Sequence, residues 1–224
     1  MYVDRLPSAS GLRGAHQKRS LERLQRTAAS PASSAALIVY ALFLAAGLGL
    51  SSAYWMTGGD YPFGAVRAGA WTVWPRAGSR DADPYTRAVN ARTGDIPLGI
   101  GEGLVLRAAA DDAGRALDAR CTYRIGTTAP QARYWSLTLY DAAGRPVDTP
   151  LKRASLSSAE VLRDGSGGFI IVLSREAESG NWLMMPEAGE VSLVMRMYDT
   201  PASSAAAALD RRSLPSIVRQ ECGP

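Results

Sequence analysis

Three patterns of hydrophobic and polar residues divide this 224-residue chain: an apolar run, one helical pattern, and several alternating segments. The apolar run, Ala35 to Ala53, lies within a stretch from Thr27 to Gly59 that contains no charged residue. As an α-helix the run would be about 29 Å long, close to the thickness of the hydrocarbon core of a bilayer. Tyr54 and Trp55 follow it, where aromatic rings favour the headgroup region. We therefore predict a transmembrane anchor at 35–56, with the lipid bilayer as its partner.

Charge is distributed unevenly on the two sides of this run. The first 26 residues contain six Arg or Lys against two acidic residues. Because basic flanks stay in the cytoplasm, the tail at 1–34 is predicted to be cytoplasmic and the remaining chain external. From Gly59 onward 19 basic residues balance 19 acidic ones, so we expect no nucleic-acid partner. A cleaved signal peptide is the alternative, since Ser51 and Ala53 have the spacing of a cleavage site.

The remaining patterns predict a mainly β domain. One helix is predicted from Asp83 to Gly94, with an aspartate cap, a proline in the first turn and a terminal glycine. Strands are predicted at 117–125, 133–141, 168–174 and 191–198 from alternating or β-branched residues. Short strands between Gly and Pro turns favour an antiparallel β-sandwich or jelly-roll-like domain with one or two short helices. The predicted organisation is a linker at 57–70, this domain at 71–201 and a C-terminal tail at 202–224.

Cys121 and Cys222 are the two cysteines of the chain, and neither belongs to a CxxC motif. In an oxidising compartment they would pair and attach the C-terminal tail to a core strand. Two free thiols are the alternative that the sequence leaves open.

The single histidine, His16, lies in the predicted cytoplasmic tail. An external domain without imidazole has no Ser-His-Asp triad, no Cys-His pair and no His-bearing zinc site. We accordingly expect neither a cofactor nor a metal. The remaining candidate catalytic residues are carboxylates, two of which would have to meet as acid and base. Those at predicted turns and strand ends are Glu102, Asp141, Glu160, Glu187 and Glu190.

Aromatic and arginine side chains are the other candidate binding groups, because both are favoured at recognition sites. Most aromatic residues of a domain this size build its core, which is the alternative role for each of them. The candidates for a sugar or peptide groove are Trp74, Tyr85, Trp135, Tyr140, Trp182 and Arg196.

An ordered series of motifs resembles the bacterial family known as domain of unknown function 1214. The series is Trp74-Pro75, Asp83-Pro84-Tyr85-x-Arg87-Ala88, Pro97-Leu98-Gly99, the segment from Tyr134 to Asp141, Asn181-Trp182-Leu183 and Arg196-x-Tyr198-x-x-Pro201. The likeness covers about Trp71 to Pro201. It implies a β-rich, jelly-roll-like fold and a short, single-pass, membrane-anchored member, and it brings no established catalytic residues.

Together these observations predict an inner-membrane protein with a cytoplasmic N-terminus and a periplasmic β-domain. The predicted function is non-catalytic binding of an envelope protein or glycan. The alternative is an envelope polysaccharide hydrolase or transferase that uses paired carboxylates.

Overall fold

The computed structural model describes residues 31–127, 130–203 and 209–223. The chain divides into two compact units, Met1–Tyr54 and Trp55–Pro224, which are described separately. Most of the predicted basic tail, residues 1–30, lies outside the described residues.

Helix α1 (Pro31–Met56) contains the predicted anchor. Its residues Ser33–Met56 are long and apolar enough to cross a membrane, a property that signal sequences share. No part of this candidate span is buried within the protein. A helix that is apolar on all sides suits a lipid environment better than water.

Helix α2 (Pro84–Thr93) begins and ends where its capping residues predict. The Asp83 carboxylate accepts hydrogen bonds from the backbone N–H groups of Tyr85 and Thr86, at 3.0 and 3.1 Å. Gly94 ends the helix in the left-handed conformation, with φ of 69°, which glycine adopts without strain. The predicted helix is therefore confirmed at both ends.

Within the described residues, ten strands form two sheets. The strands are β1 (Val66–Ala68), β2 (Trp71–Val73), β3 (Gly103–Ala108), β4 (Cys121–Thr127), β5 (Tyr134–Asp141), β6 (Ser155–Ser157), β7 (Phe169–Ser174), β8 (Asn181–Met184), β9 (Val191–Tyr198) and β10 (Ser216–Cys222). The larger sheet has the order β1-β2-β3-β9-β5-β6, and the smaller has the order β10-β4-β7-β8. Short 3-10 helices occupy Pro201–Ser203 and Arg211–Ser213.

The hydrophobic core draws its side chains from both sheets, which confirms the predicted mainly β fold. Trp135 of the larger sheet stacks on Phe169 of the smaller one, with ring centroids 5.0 Å apart. One pairing differs from the antiparallel expectation, because β7 and β8 run parallel.

Three predicted strands begin and end within one residue of the predicted positions: β5, β7 and β9. The fourth starts later than predicted, at Cys121 rather than Leu117. A turn precedes it, in which the Cys121 N–H donates to the carbonyl of Asp118 at 3.0 Å. Leu117 and Ala119 are nevertheless buried, so the alternation in this stretch comes from a loop that points every second side chain inward.

The C-terminal strand β10 pairs with β4, and the Cys121–Cys222 disulfide joins the two. The predicted disulfide is confirmed, and the alternative of two free thiols is wrong. The segments predicted as a linker at 57–70 and a tail at 202–224 contribute β1 and β10 to the sheets. Of that tail, residues 204–208 and 224 lie outside the described residues.

Candidate functional site: an arginine-lined cleft

The six predicted ligand-binding residues do not line one groove. Trp135 is 1% exposed within the core and has no surface to offer a ligand. Trp182 is also buried, and its indole N–H donates to the Ser174 carbonyl. Tyr85 lies on α2, where its ring meets Phe63 edge-on at 5.8 Å. The ligand-binding role of these residues stays a prediction. Burial argues against that role for Trp135 and Trp182.

Tyr140 and Arg196 do come together, in an open cleft of about 730 Å³. Four arginines and two aspartates line this cleft: Arg92, Arg107, Arg145, Arg196, Asp60 and Asp95. The sixth predicted residue, Trp74, lines a small adjoining cavity that shares Asp95 and Arg107 with the cleft. A basic lining favours anionic ligands.

The cleft lies on the outer face of the larger sheet. Arg107 belongs to β3, Arg196 to β9 and Tyr140 to β5, and these three strands are neighbours in the order β3-β9-β5. Successive residues of a strand point to opposite faces of the sheet. The residues next to Arg107, Arg196 and Tyr140 in sequence face the core, so these three side chains face outward. The core-facing neighbours are Leu106, Ala108, Met195, Met197 and Leu139. The same alternation that fills the core therefore brings two arginines and a tyrosine to one patch of the opposite face.

Asp95 provides the carboxylate that the two arginines share. The Arg107 guanidinium donates to Asp95 Oδ2 at 2.6 Å, and Arg196 Nη2 lies 3.8 Å from Asp95 Oδ1. All three side chains are about three-quarters buried, with exposed fractions of 28%, 23% and 23% for Arg107, Arg196 and Asp95. Asp95 is the first residue after Gly94, so the end of α2 positions it.

Arg196 makes two contacts with Tyr140. Its Nη1 donates to the tyrosine hydroxyl at 3.0 Å, and its guanidinium carbon lies 5.8 Å from the centre of the ring. A guanidinium held by a ring and a hydroxyl loses less conformational entropy when it binds a ligand.

One wall of the cleft is fastened to α2 by side-chain hydrogen bonds. The Arg92 guanidinium donates to Thr57 Oγ1 at 2.8 Å, and the Tyr61 hydroxyl donates to Asn90 Oδ1 at 2.7 Å. Burial, followed by the Asp95 charge, raises the pKa of the Tyr61 phenol, so this donor keeps its proton at neutral pH. The wall is therefore held in place by the protein itself.

Three of the five predicted acid-base carboxylates have structural contacts. Asp141 and Glu160 accept hydrogen bonds from Arg145 and Ser157 respectively, and these lower the pKa of each carboxyl. Glu102 Oε2 accepts from the Gly99 N–H at 3.1 Å in a turn. A general acid needs a raised pKa, so hydrogen-bonded turn carboxylates such as Asp141 and Glu160 are poor candidates for one. Glu187 and Glu190 flank the last turn before β9.

Among the described residues, no group of three or more His, Cys, Asp or Glu is placed to hold a metal ion.

Sequence reasoning missed Tyr61, Arg92, Asp95 and Arg107 as cleft residues. Arg107 lies in β3, a strand that the pattern did not predict, although Leu104, Leu106 and Ala108 alternate around it and are all buried. That alternation was the available signal for an outward-facing arginine.

The fold and the cleft define a class: a β-sandwich domain with a preformed basic cleft on its larger sheet. Residues 102–202 match the family model "Protein of unknown function (DUF1214)". The predicted resemblance is thus confirmed over this range. The motifs that precede Glu102 lie outside the match.

Two solved structures are similar to the chain. The crystal structure of the VPA0106 protein from Vibrio parahaemolyticus is 23% identical, with a TM-score of 0.51, and the match covers 63% of this chain and 36% of that one. The chain thus spans little more than a third of that protein, and the likeness supports the fold alone. An uncharacterized protein from Burkholderia cenocepacia is 21% identical with a TM-score of 0.37, over 66% of this chain and 48% of its own. A search of curated proteins found no match.

Proposed function

We propose that this protein is a single-pass inner-membrane protein whose periplasmic β-domain binds an anionic envelope partner, a protein or a glycan, without catalysis. The arginine-lined cleft carries the proposal. Arg107 and Arg196 share one carboxylate there, in a cleft that is open to solvent although the three side chains are about three-quarters buried. Charge-assisted hydrogen bonds from arginine to an anion are stronger than bonds between neutral groups, and more so where water is partly excluded.

The proposed location rests on two independent features of the chain. Ser33–Met56 supplies a candidate membrane span, and the Cys121–Cys222 disulfide suits an oxidising compartment. The six basic residues before Thr27 favour a cytoplasmic N-terminus.

Topology is tested by fusing alkaline phosphatase and a cytoplasmic fluorescent protein separately after Pro224. We expect an active phosphatase and a dark fluorescent fusion. The reverse result would place the domain in the cytoplasm and contradict the proposed location.

Partner binding is tested by crosslinking in living cells, followed by pull-down, and by co-sedimentation with isolated peptidoglycan. The full-length chain is compared with Arg196→Gln and with Arg120→Gln, a control whose guanidinium is paired with Asp118 and does not line the cleft. We expect loss of the partner in the first variant alone. Equal recovery by all three proteins, or by none, would count against the cleft as the binding site.

A further inference from the structure

The hydrogen-bonding capacity of the cleft is unbalanced toward donors. Each guanidinium has five N–H donors, so Arg107 and Arg196 together offer roughly ten. Within the described part of the chain, their side-chain acceptors are the Asp95 carboxylate and the Tyr140 hydroxyl. A ligand that satisfies this surplus must bring several acceptor oxygens.

From this imbalance we infer that the ligand of the cleft is a phosphate ester, carried by an envelope lipid or by an envelope glycan. The inference rests on the proposed function and specifies its ligand chemistry. A terminal phosphate presents three strongly accepting oxygens in a tetrahedral arrangement, whereas a carboxylate presents two in a plane. Two guanidiniums on neighbouring strands approach a tetrahedral group from different directions, and each can donate through its fork.

The size of the cleft accommodates the alcohol part of such an ester. A volume of about 730 Å³ is far larger than one phosphate needs and lies in the usual range for small-molecule sites. Asp95 and the Tyr61 hydroxyl lie in the same lining and can bond to hydroxyl groups of a glycerol or sugar. The shared chemistry is thus a phosphate next to hydroxyl-bearing carbons.

Asp95 has a second effect, because it competes with the ligand. Its carboxylate already occupies Arg107 at 2.6 Å and lies 3.8 Å from Arg196. Removing this negative charge leaves both guanidiniums unneutralised toward an incoming phosphate. Asp95→Asn should therefore bind phosphate esters more tightly than the unaltered protein does, a change in the opposite direction from that of the arginine variants.

The experiment is calorimetric titration of the full-length chain in a neutral detergent. The ligands are glycerol 3-phosphate, glucose 6-phosphate, inorganic phosphate and glucuronate. We expect both esters to bind more tightly than glucuronate, with affinity falling about tenfold in Arg107→Gln and in Arg196→Gln and rising in Asp95→Asn. Arg120→Gln should titrate like the unaltered chain. Preference for glycerol 3-phosphate indicates a lipid headgroup, and preference for glucose 6-phosphate indicates a glycan.

Three results would overturn the inference. The first is tighter binding of glucuronate than of either ester. The second is binding of the esters that neither the arginine variants nor Asp95→Asn alters. The third is absence of ester binding while the chain still sediments with peptidoglycan, which would leave the proposed function standing. If the chain neither binds the esters nor sediments with peptidoglycan, both this inference and the proposed function are wrong.

Circular dichroism of each variant identifies any that does not fold. Asp95→Asn keeps the test valid if an arginine variant does not fold.

Discussion

Two regions of the β-domain are rich in arginine, and they use it differently. Near the disulfide, Arg120 reaches Asp118 through both Nε and Nη2, at 3.1 and 2.7 Å. Arg115 also contacts Asp111 through both nitrogens, but Nε and Nη2 meet a single oxygen, Oδ2, each at 2.8 Å. In the cleft, by contrast, Arg107 reaches Asp95 through Nη2, and Arg196 lies 3.8 Å from the same carboxylate.

The difference separates structural arginines from arginines available to a ligand. Arg120 and Arg115 each have a carboxylate two or four residues away in sequence, so their pairing forms together with the local turn. Arg107 and Arg196 of the cleft come from separate strands and share the carboxylate of Asp95, which lies at the end of α2. Local pairing stabilises a turn, whereas the shared pair keeps donors directed toward the open cleft.

The largest expected effect is on the disulfide side. Replacing both Cys121 and Cys222 with Ser frees a loop with a sequence separation of 101 residues. On the chain-entropy model, the free energy of unfolding should fall by about 4–5 kcal/mol. Denaturant unfolding of the full-length chain, followed by tryptophan fluorescence, measures the loss. Anion binding by the folded fraction should not change, and a parallel loss of binding would show that the two regions are coupled.

Two turns with the same pattern provide the next test. Asp111 and Asp141 each accept backbone N–H bonds two and four residues ahead, and each also binds the arginine at the fourth position. The Asp111 side chain is 1% exposed, whereas that of Asp141 is 34% exposed. Asp111→Ala removes the buried acceptor of these part-buried hydrogen bonds and should cost about 2–3 kcal/mol of unfolding free energy. Asp141→Ala is the matched control, and its loss should be clearly smaller in the same unfolding assay. Equal losses would contradict the importance of burial.

Arg196→Gln should have the opposite effect from the cysteine and Asp111 substitutions, because it should reduce anion affinity more than stability. Anion affinity should fall about tenfold, since a charge-assisted bond to the ligand is lost. The unfolding free energy should change less than in Asp111→Ala, because the native partners of Arg196 are a hydroxyl and a shared carboxylate. Titration and denaturant unfolding of the same preparation check both expectations. A large loss of stability with unchanged affinity would make Arg196 a structural residue.

The smallest expected effect concerns acid stability. The side-chain hydrogen bond from Arg120 is the main cause that lowers the pKa of Asp118 from 3.8 to about 2. A carboxylate with a lowered pKa stabilises the fold above pH 3.8, and this contribution is lost as the pH falls toward 2. Asp118→Asn should reduce the dependence of unfolding free energy on pH between those values. An unchanged slope would show that the Asp118–Arg120 pair contributes nothing to acid stability.

Of the six described strands with six or more residues, four could be predicted from the sequence, namely β4, β5, β7 and β9, whereas β3 and β10 were missed. β5, β7 and β9 are of that length, and their core-facing side chains recur every second position. β1, β2 and β6 have three residues each, too few to establish a period, and their partners in the sheet define them. The helix α2 was predictable because its caps are local: an aspartate, a proline and a glycine at fixed positions.

The cleft could be predicted only in part. Tyr140 and Arg196 were candidates as residue types, but they are 56 residues apart, and only the pairing of β5 with β9 brings them together. Asp95 lies in a loop without any periodic pattern, and Arg107 lies in a strand that the pattern did not predict. The two aspartate turns were easier to predict from the sequence. At both Asp111 and Asp141, a glycine follows three residues later and an arginine four residues later.

We expect Arg107 and Arg196 to bind an anion, whereas Arg115 and Arg120 should not. NMR correlation of the arginine Nε–Hε groups in the full-length chain, titrated with glycerol 3-phosphate, tests it residue by residue. Single Arg→Lys variants assign the signals. The account predicts saturable shifts of Arg107 and Arg196, with those of Arg115 and Arg120 unmoved. Equal shifts in both regions, or shifts near the disulfide alone, would contradict it.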